Sequence, residues 1–188
     1  MDHRFDEVME FRNSLNPETD RGCALMAAAF LDSELELLLR SFVVDNEKAQ
    51  DEIFSQSKPI GTFSSRIDLA FLLGLISADT RKDLHLIRKI RNDFGHVHRP
   101  ISFEDQAMSN RCRELKHHFR GNNEPPRKIF ISSAVGALAL LHTAMHKRAR
   151  IVERPNPDLN AAKERQTKIM SAVMAALEEA PPKNGKDT

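Results

Sequence analysis

Residues 19–44 read TDRGCALMAAAFLDSELELLLRSFVV. Within this stretch Leu31, Leu35, Leu38 and Phe42 recur at three- and four-residue spacing, the rhythm of one helix face rather than the alternation of a strand. Thr19 or Asp20 can cap the start, so the spacing predicts a helix from Asp20 to about Val44. Asp32 and Glu36 interrupt its apolar run. Together with Arg66, further along, they are read as structural polar partners, because a charge on an inward face needs an opposite charge beside it.

The same rule extends outward. A short acidic helix is expected at Glu47–Ser55, followed by a loop through Lys58, Pro59, Ile60 and Gly61. Thr62 to Ser65 open the next helix, which runs to Leu75 with Ile67, Ala70, Phe71 and Gly74 inward. Ser77 or Asp79 caps the one after it, where Leu84, Ile87, Ile90 and Phe94 keep the helical spacing until Pro100 bars continuation. Ser102 is placed at the start of a charged helix ending near His118, and a polar loop then leads to an apolar helix over 129–147. RPNPD at 154–158 reads as a linker, and Leu159–Ala180 as an amphipathic helix with Ile169, Val173 and Leu177 on one side. The fold class is therefore all-α, a helical bundle with an additional C-terminal amphipathic helix. Its expected parts are an N-terminal segment (1–18), a bundle core (19–152), a linker (153–158), the C-terminal helix (159–180) and a disordered tail (181–188).

Composition narrows the function classes. Of 188 residues, 40% are hydrophobic and 29% charged, which is globular rather than disordered. The formal net charge of +1 supplies no overall field toward nucleic acid or acidic lipid. Charge is nevertheless uneven, with seven acids against two bases between Asp32 and Glu52, and six bases against two acids between Arg81 and Arg99. Two cysteines, Cys23 and Cys112, make no disulfide framework and fit a reduced, cytoplasmic protein. The N-terminus has no signal-peptide core, and the apolar stretch 129–145 is short of a membrane span, so no membrane association is expected.

Residues 87–100, IRKIRNDFGHVHRP, carry the candidate chemistry. An arginine can hold a phosphate and a histidine can move a proton near neutrality, so together they can cleave RNA through its own 2′-hydroxyl without metal. An unbroken helix would set Arg91 and His96 about 140° apart. Gly95, in a left-handed conformation, would end the helix and return His96 toward Arg91. The competing reading makes Gly95 an ordinary C-terminal cap and pairs Arg91 with Asp32 or Glu36. The spacing alone is weak, since Arg113 and His118 repeat it. His96 with His98, and His117 with His118, lack matched acidic or cysteine partners, so no metal or other cofactor is expected. A helix-turn-helix over 65–91 lacks the Asn, Gln and Arg cluster that base readout uses, so direct DNA binding is not expected.

DRG (20–22), AAAFLD (27–32), TFSSRIDLAFLLGLIS (62–77) and LIRKIRNDFGH (86–96) together resemble the mannitol operon repressor family, over roughly Asp20 to Leu115. That resemblance implies a helical, cytosolic bacterial regulator of transcription. The last block also resembles the HEPN superfamily, helical bundles of which many are metal-independent ribonucleases with an Arg-polar-x-x-x-His signature. Carried over, Arg91 would hold the scissile phosphate, His96 would move protons and Asn92 would orient one. Arg88, Arg91 and His98 are the binding residues expected under either resemblance. The favoured reading is a regulator acting as a homodimer through a protein partner or a phosphate-bearing ligand, and the alternative is an endoribonuclease or toxin with RNA as its partner.

Overall fold

The computed structural model describes residues 3–96, 101–118, 121, 123–147 and 149–178, with no side-chain description for residues 3, 4, 96, 177 and 178. Eight helices follow one another among these residues: α1 (His3–Leu15), α2 (Asp20–Phe42), α3 (Glu47–Phe54), α4 (Phe63–Leu72), α5 (Ala78–His96), α6 (Gln106–Arg113), α7 (Pro126–Lys147) and α8 (Leu159–Glu178). The chain divides into one compact unit over 1–152 and a second over 153–188. The tail proposed at 181–188 lies outside the described residues.

The helix at 20–42 is the spine of the first unit. Thr19 caps it by accepting from the Gly22 backbone N–H at 3.0 Å. Its inward face carries small residues first (Cys23, Ala24, Ala27, Ala28) and leucines later (Leu31, Leu35, Leu38, Leu39), all buried. It packs on α7, α5 and α4, and the early alanines leave little side chain between the backbones. α7 is long and apolar enough to cross a membrane, yet 56% of its apolar window is buried in this unit, as a core helix requires. Phe94, Phe103 and Phe130 form a chain of rings with centroids 5.0 and 4.9 Å apart, locking the end of α5 to α7 through the turn before α6.

Three elements differ from the sequence reading. The segment 1–18 contains a helix, α1, whose Phe11 and Leu15 are buried. The helix expected from Ser65 to Leu75 runs instead from Phe63 to Leu72, because Gly74 takes φ +69°. The Leu75 N–H then bonds the Ala70 carbonyl and the Gly74 N–H the Phe71 carbonyl, both at 2.9 Å, a Schellman ending that turns the chain into α5. Finally, the helix expected over 102–118 shrinks to 106–113. Buried Asp83 accepts from the backbone N–H groups of Lys116 and His117 at 2.8–3.1 Å, which draws this segment out of helical register. Gly136 on α7 makes room for it, since a Cβ there would collide with the His117 carbonyl oxygen.

Candidate functional site

The basic end of α5 follows from its burial pattern. Leu84, Ile87, Ile90 and Phe94 are buried, which fixes the helix face and turns Arg91 outward. Arg91 is exposed and donates from Nη1 to Asn92 Oδ1 at 3.1 Å, so two members of the proposed triad do touch. The third does not join by the route expected. α5 continues through Gly95 to His96, and Gly74 is the only described glycine with positive φ. Gly95 therefore neither ends the helix nor swings the chain back, and the backbone directions of Arg91 and His96 stay about 140° apart. The side chain of His96, and all of His98, lie outside the described residues. Arg88 is half-buried with its Nε unpartnered, and Asp93 is paired with Arg111 of α6.

The carboxylates of α2 go to another arginine. Buried Arg66 on α4 donates to Asp32 Oδ1 at 2.7 Å, pairs with Glu36, and donates to the Phe54 carbonyl at 2.9 Å. Glu36 also accepts from Arg40, which bonds Asp51 at 2.9 Å and lies 5.3 Å from the Phe54 ring centroid. Asp32, Arg66, Glu36, Arg40 and Asp51 thus alternate in sign and tie α2, α3 and α4 together. Burial raises the Asp32 carboxyl above its ordinary value, against the opposing pull of Arg66 and, more weakly, of Arg91. Arg91 is therefore a cation at the edge of this network, while Asp32, Glu36 and Arg66 are brought together as polar partners.

A second site was not visible in the sequence. Glu7 and Glu10 of α1, Phe30, Glu34 and Leu37 of α2, and His142 and Met145 of α7 line a cleft of about 630 Å³. Its wall includes Phe11 and Phe30, stacked at 4.6 Å between centroids and 19° between planes. The His142 side chain is 9% exposed and bonds Glu34 Oε2 through Nε2 at 2.9 Å. A carboxylate only accepts, so Nε2 carries the proton of that bond. Nδ1 has no hydrogen-bond partner and faces Glu7 Oε2 across 3.9 Å. The contributing residues lie more than a hundred positions apart, and only α1, absent from the sequence reading, would have hinted at their meeting.

Burial also silences both thiols. The Cys23 thiol is pushed up to about 11 and that of Cys112 to about 12, in each case chiefly by burial.

The model of a family described as mannitol repressor matches residues 5–155, beyond the quoted blocks in both directions. Among solved structures, the chain is similar to one in the X-ray structure of the MtlR–HPr complex from Escherichia coli, with 18% identity and a TM-score of 0.61. That likeness covers 71% of this chain and 97% of the other. No curated protein matches the chain by sequence.

Proposed function

The chain belongs to the mannitol repressor family, and from that premise we propose that it regulates transcription in the bacterial cytoplasm by binding a protein partner of the HPr kind. One observation carries the partner: the chain whose fold it shares, over nearly all of that chain's length, comes from a structure described as a complex with HPr. In the α4–α5 hairpin, Leu84, Ile87 and Ile90 of α5 are buried in the core and Arg81 near its start is held by Asp68, which commits these groups to the bundle.

Calorimetric titration of the purified chain with HPr from its own source tests this reading. Saturable heat is expected, and its absence from well-folded protein would overturn it. Tight, sequence-specific operator binding by the chain alone, maintained as salt rises, would equally contradict action through a partner.

The reading includes a homodimer, supported by α8. Ile169, Met170, Val173 and Met174 form an apolar face on it, and a helix of 20 residues is marginal in water unless such a face is covered. Light-scattering mass in solution should give twice the chain mass of 21.3 kDa. A monomer at micromolar concentration would remove this part of the reading.

A further inference from the structure

We propose that a cleft between α1 and α7 binds a small organic phosphate, a phosphomonoester with a short apolar portion. The site goes beyond the partner-binding function and does not depend on it. The cleft has a volume of about 370 Å³, within the range of small-ligand pockets. It follows the seam of the two helices, where positions 9, 12 and 16 on one side meet 128, 131, 132 and 135 on the other, at helical spacing. Four of these side chains carry hydrogen-bond donors, Arg12, Asn16, Lys128 and Ser132, and no carboxylate is among the described residues lining the cleft. No described residue accepts from the side chains of Arg12, Asn16 or Ser132, and Lys128 has one ion pair, with Glu124 at 3.5 Å. The cleft thus displays donors without matching acceptors.

Ordinary structural roles do not account for the two cations. Arg12 stands in the last turn of α1, where a cation usually answers the free carbonyls of a helix end. Here Arg127 fills that role by donating to the carbonyls of Leu15 and Asn16. Lys128 stands in the first turn of α7, the end a helix dipole makes positive and where acids are favoured. Two like charges beside a positive helix end repel one another, and a dianion between them reverses the sign of that interaction. A phosphomonoester carries a charge of about −1.5 to −2 at neutral pH and offers strong acceptor oxygens. Those oxygens match a guanidinium fork, an ammonium, an amide and a hydroxyl. Met9, Ile131 and Val135 give the cleft an apolar wall for a short carbon chain, which favours an organic phosphate over the bare ion.

The test is calorimetric titration with glycerol phosphate as the probe, and with inorganic phosphate and succinate as comparison anions. The proteins are the wild type, Arg12→Gln, Lys128→Gln and, as a distant control on α3, Lys48→Gln. None of these three positions is buried, so the variants are expected to fold, which thermal melting checks. Saturable binding is expected for wild type and control, with about tenfold or greater weakening in each cleft variant, because each loses a charge-assisted hydrogen bond. The Asn16 side-chain amide resonances should shift with the probe, and affinity should fall as pH drops through about 6, where the phosphate becomes a monoanion. Binding undiminished in both cleft variants would overturn the site, and so would a failure of wild type to saturate at millimolar probe. Inorganic phosphate binding as tightly as glycerol phosphate would overturn the organic portion of the ligand. Succinate binding as tightly would overturn the phosphate class.

Discussion

Arg66 and Arg91 carry the same charge on neighbouring helices, and their surroundings give them opposite importance. Arg66 is 7% exposed and pairs with two carboxylates, so Arg66→Ala strands Asp32 in a half-buried position and leaves Glu36 with Arg40 alone. We expect a loss of about 2–3 kcal/mol in chemical denaturation, below the full cost of a wholly buried pair because both acids retain some solvent. Arg91→Ala should stay within about 0.5 kcal/mol of wild type, as exposed substitutions usually do. Carboxyl titration by NMR should separate two aspartates. Asp32 should titrate above its ordinary value of 3.8, so its proton-linked contribution is full below 3.8 and lost as pH rises through the raised value. Asp68, held down by hydrogen bonds from Arg81 and then His85, should titrate below 3.8. Its contribution is present above 3.8 and lost as pH falls through the lowered value. Native protein at pH 8 should show no reaction of Cys23 or Cys112 with a thiol reagent, and two thiols per chain in denaturant. Reaction at the native rate of an exposed thiol would contradict their burial.

At the scale of helices, periodicity was informative wherever a face is buried along its length. Leu31, Leu35 and Leu38 on α2, and Leu84, Ile87, Ile90 and Phe94 on α5, announce their helices and all are buried. Endings were harder to read, because they depend on groups distant in the chain. Nothing near residue 114 says that α6 must stop; Asp83, more than thirty residues earlier, decides it. Gly95 illustrates the converse error. A glycine near a proline suggested a cap, yet α5 runs through Gly95 to His96 and that glycine has no positive φ. α1 was missed although Val8, Phe11 and Leu15 lie at helical spacing, since three apolar positions among many polar ones are a thin signal. Gly136→Ala tests one of these long-range dependencies. The added methyl meets the His117 carbonyl, so the variant should lose about 1–3 kcal/mol although alanine is the better helix former. Unchanged stability would mean that the 115–118 segment yields freely.

For the whole molecule, the helical class and the family blocks were legible in the sequence, and the cleft of α1, α2 and α7 was not. Glu7, Glu34 and His142 are unremarkable singly, and only packing makes them one site. The Arg91–Asn92 contact was legible as a pair, whereas its extension to His96 relied on a helix break that α5 does not make. Mixed RNA incubated with the chain in EDTA is accordingly expected to remain intact, and cyclic-phosphate ends produced by wild type and lost in Arg91→Ala would contradict this. The division after Val152 gives another expectation. A chain ending there should melt cooperatively at a temperature close to that of the full chain, and a large drop would show that residues 153–178 stabilise the bundle.

Arg127, at the start of α7, donates to Asp20 at 2.6 Å and to the carbonyls of Leu15, Asn16 and Glu18, so it gathers the junction of α1 and α2 from more than a hundred residues away. Synthesis makes that distance a delay. While the chain is growing, the first two helices are complete long before Arg127, which fastens their junction, leaves the ribosome. Until then the apolar face of α2 has no α7 to cover it, and the nascent protein must wait with its spine exposed. The bundle is closed by its last core helix, and a chain interrupted before residue 127 should be a substrate for chaperones rather than a smaller version of the fold.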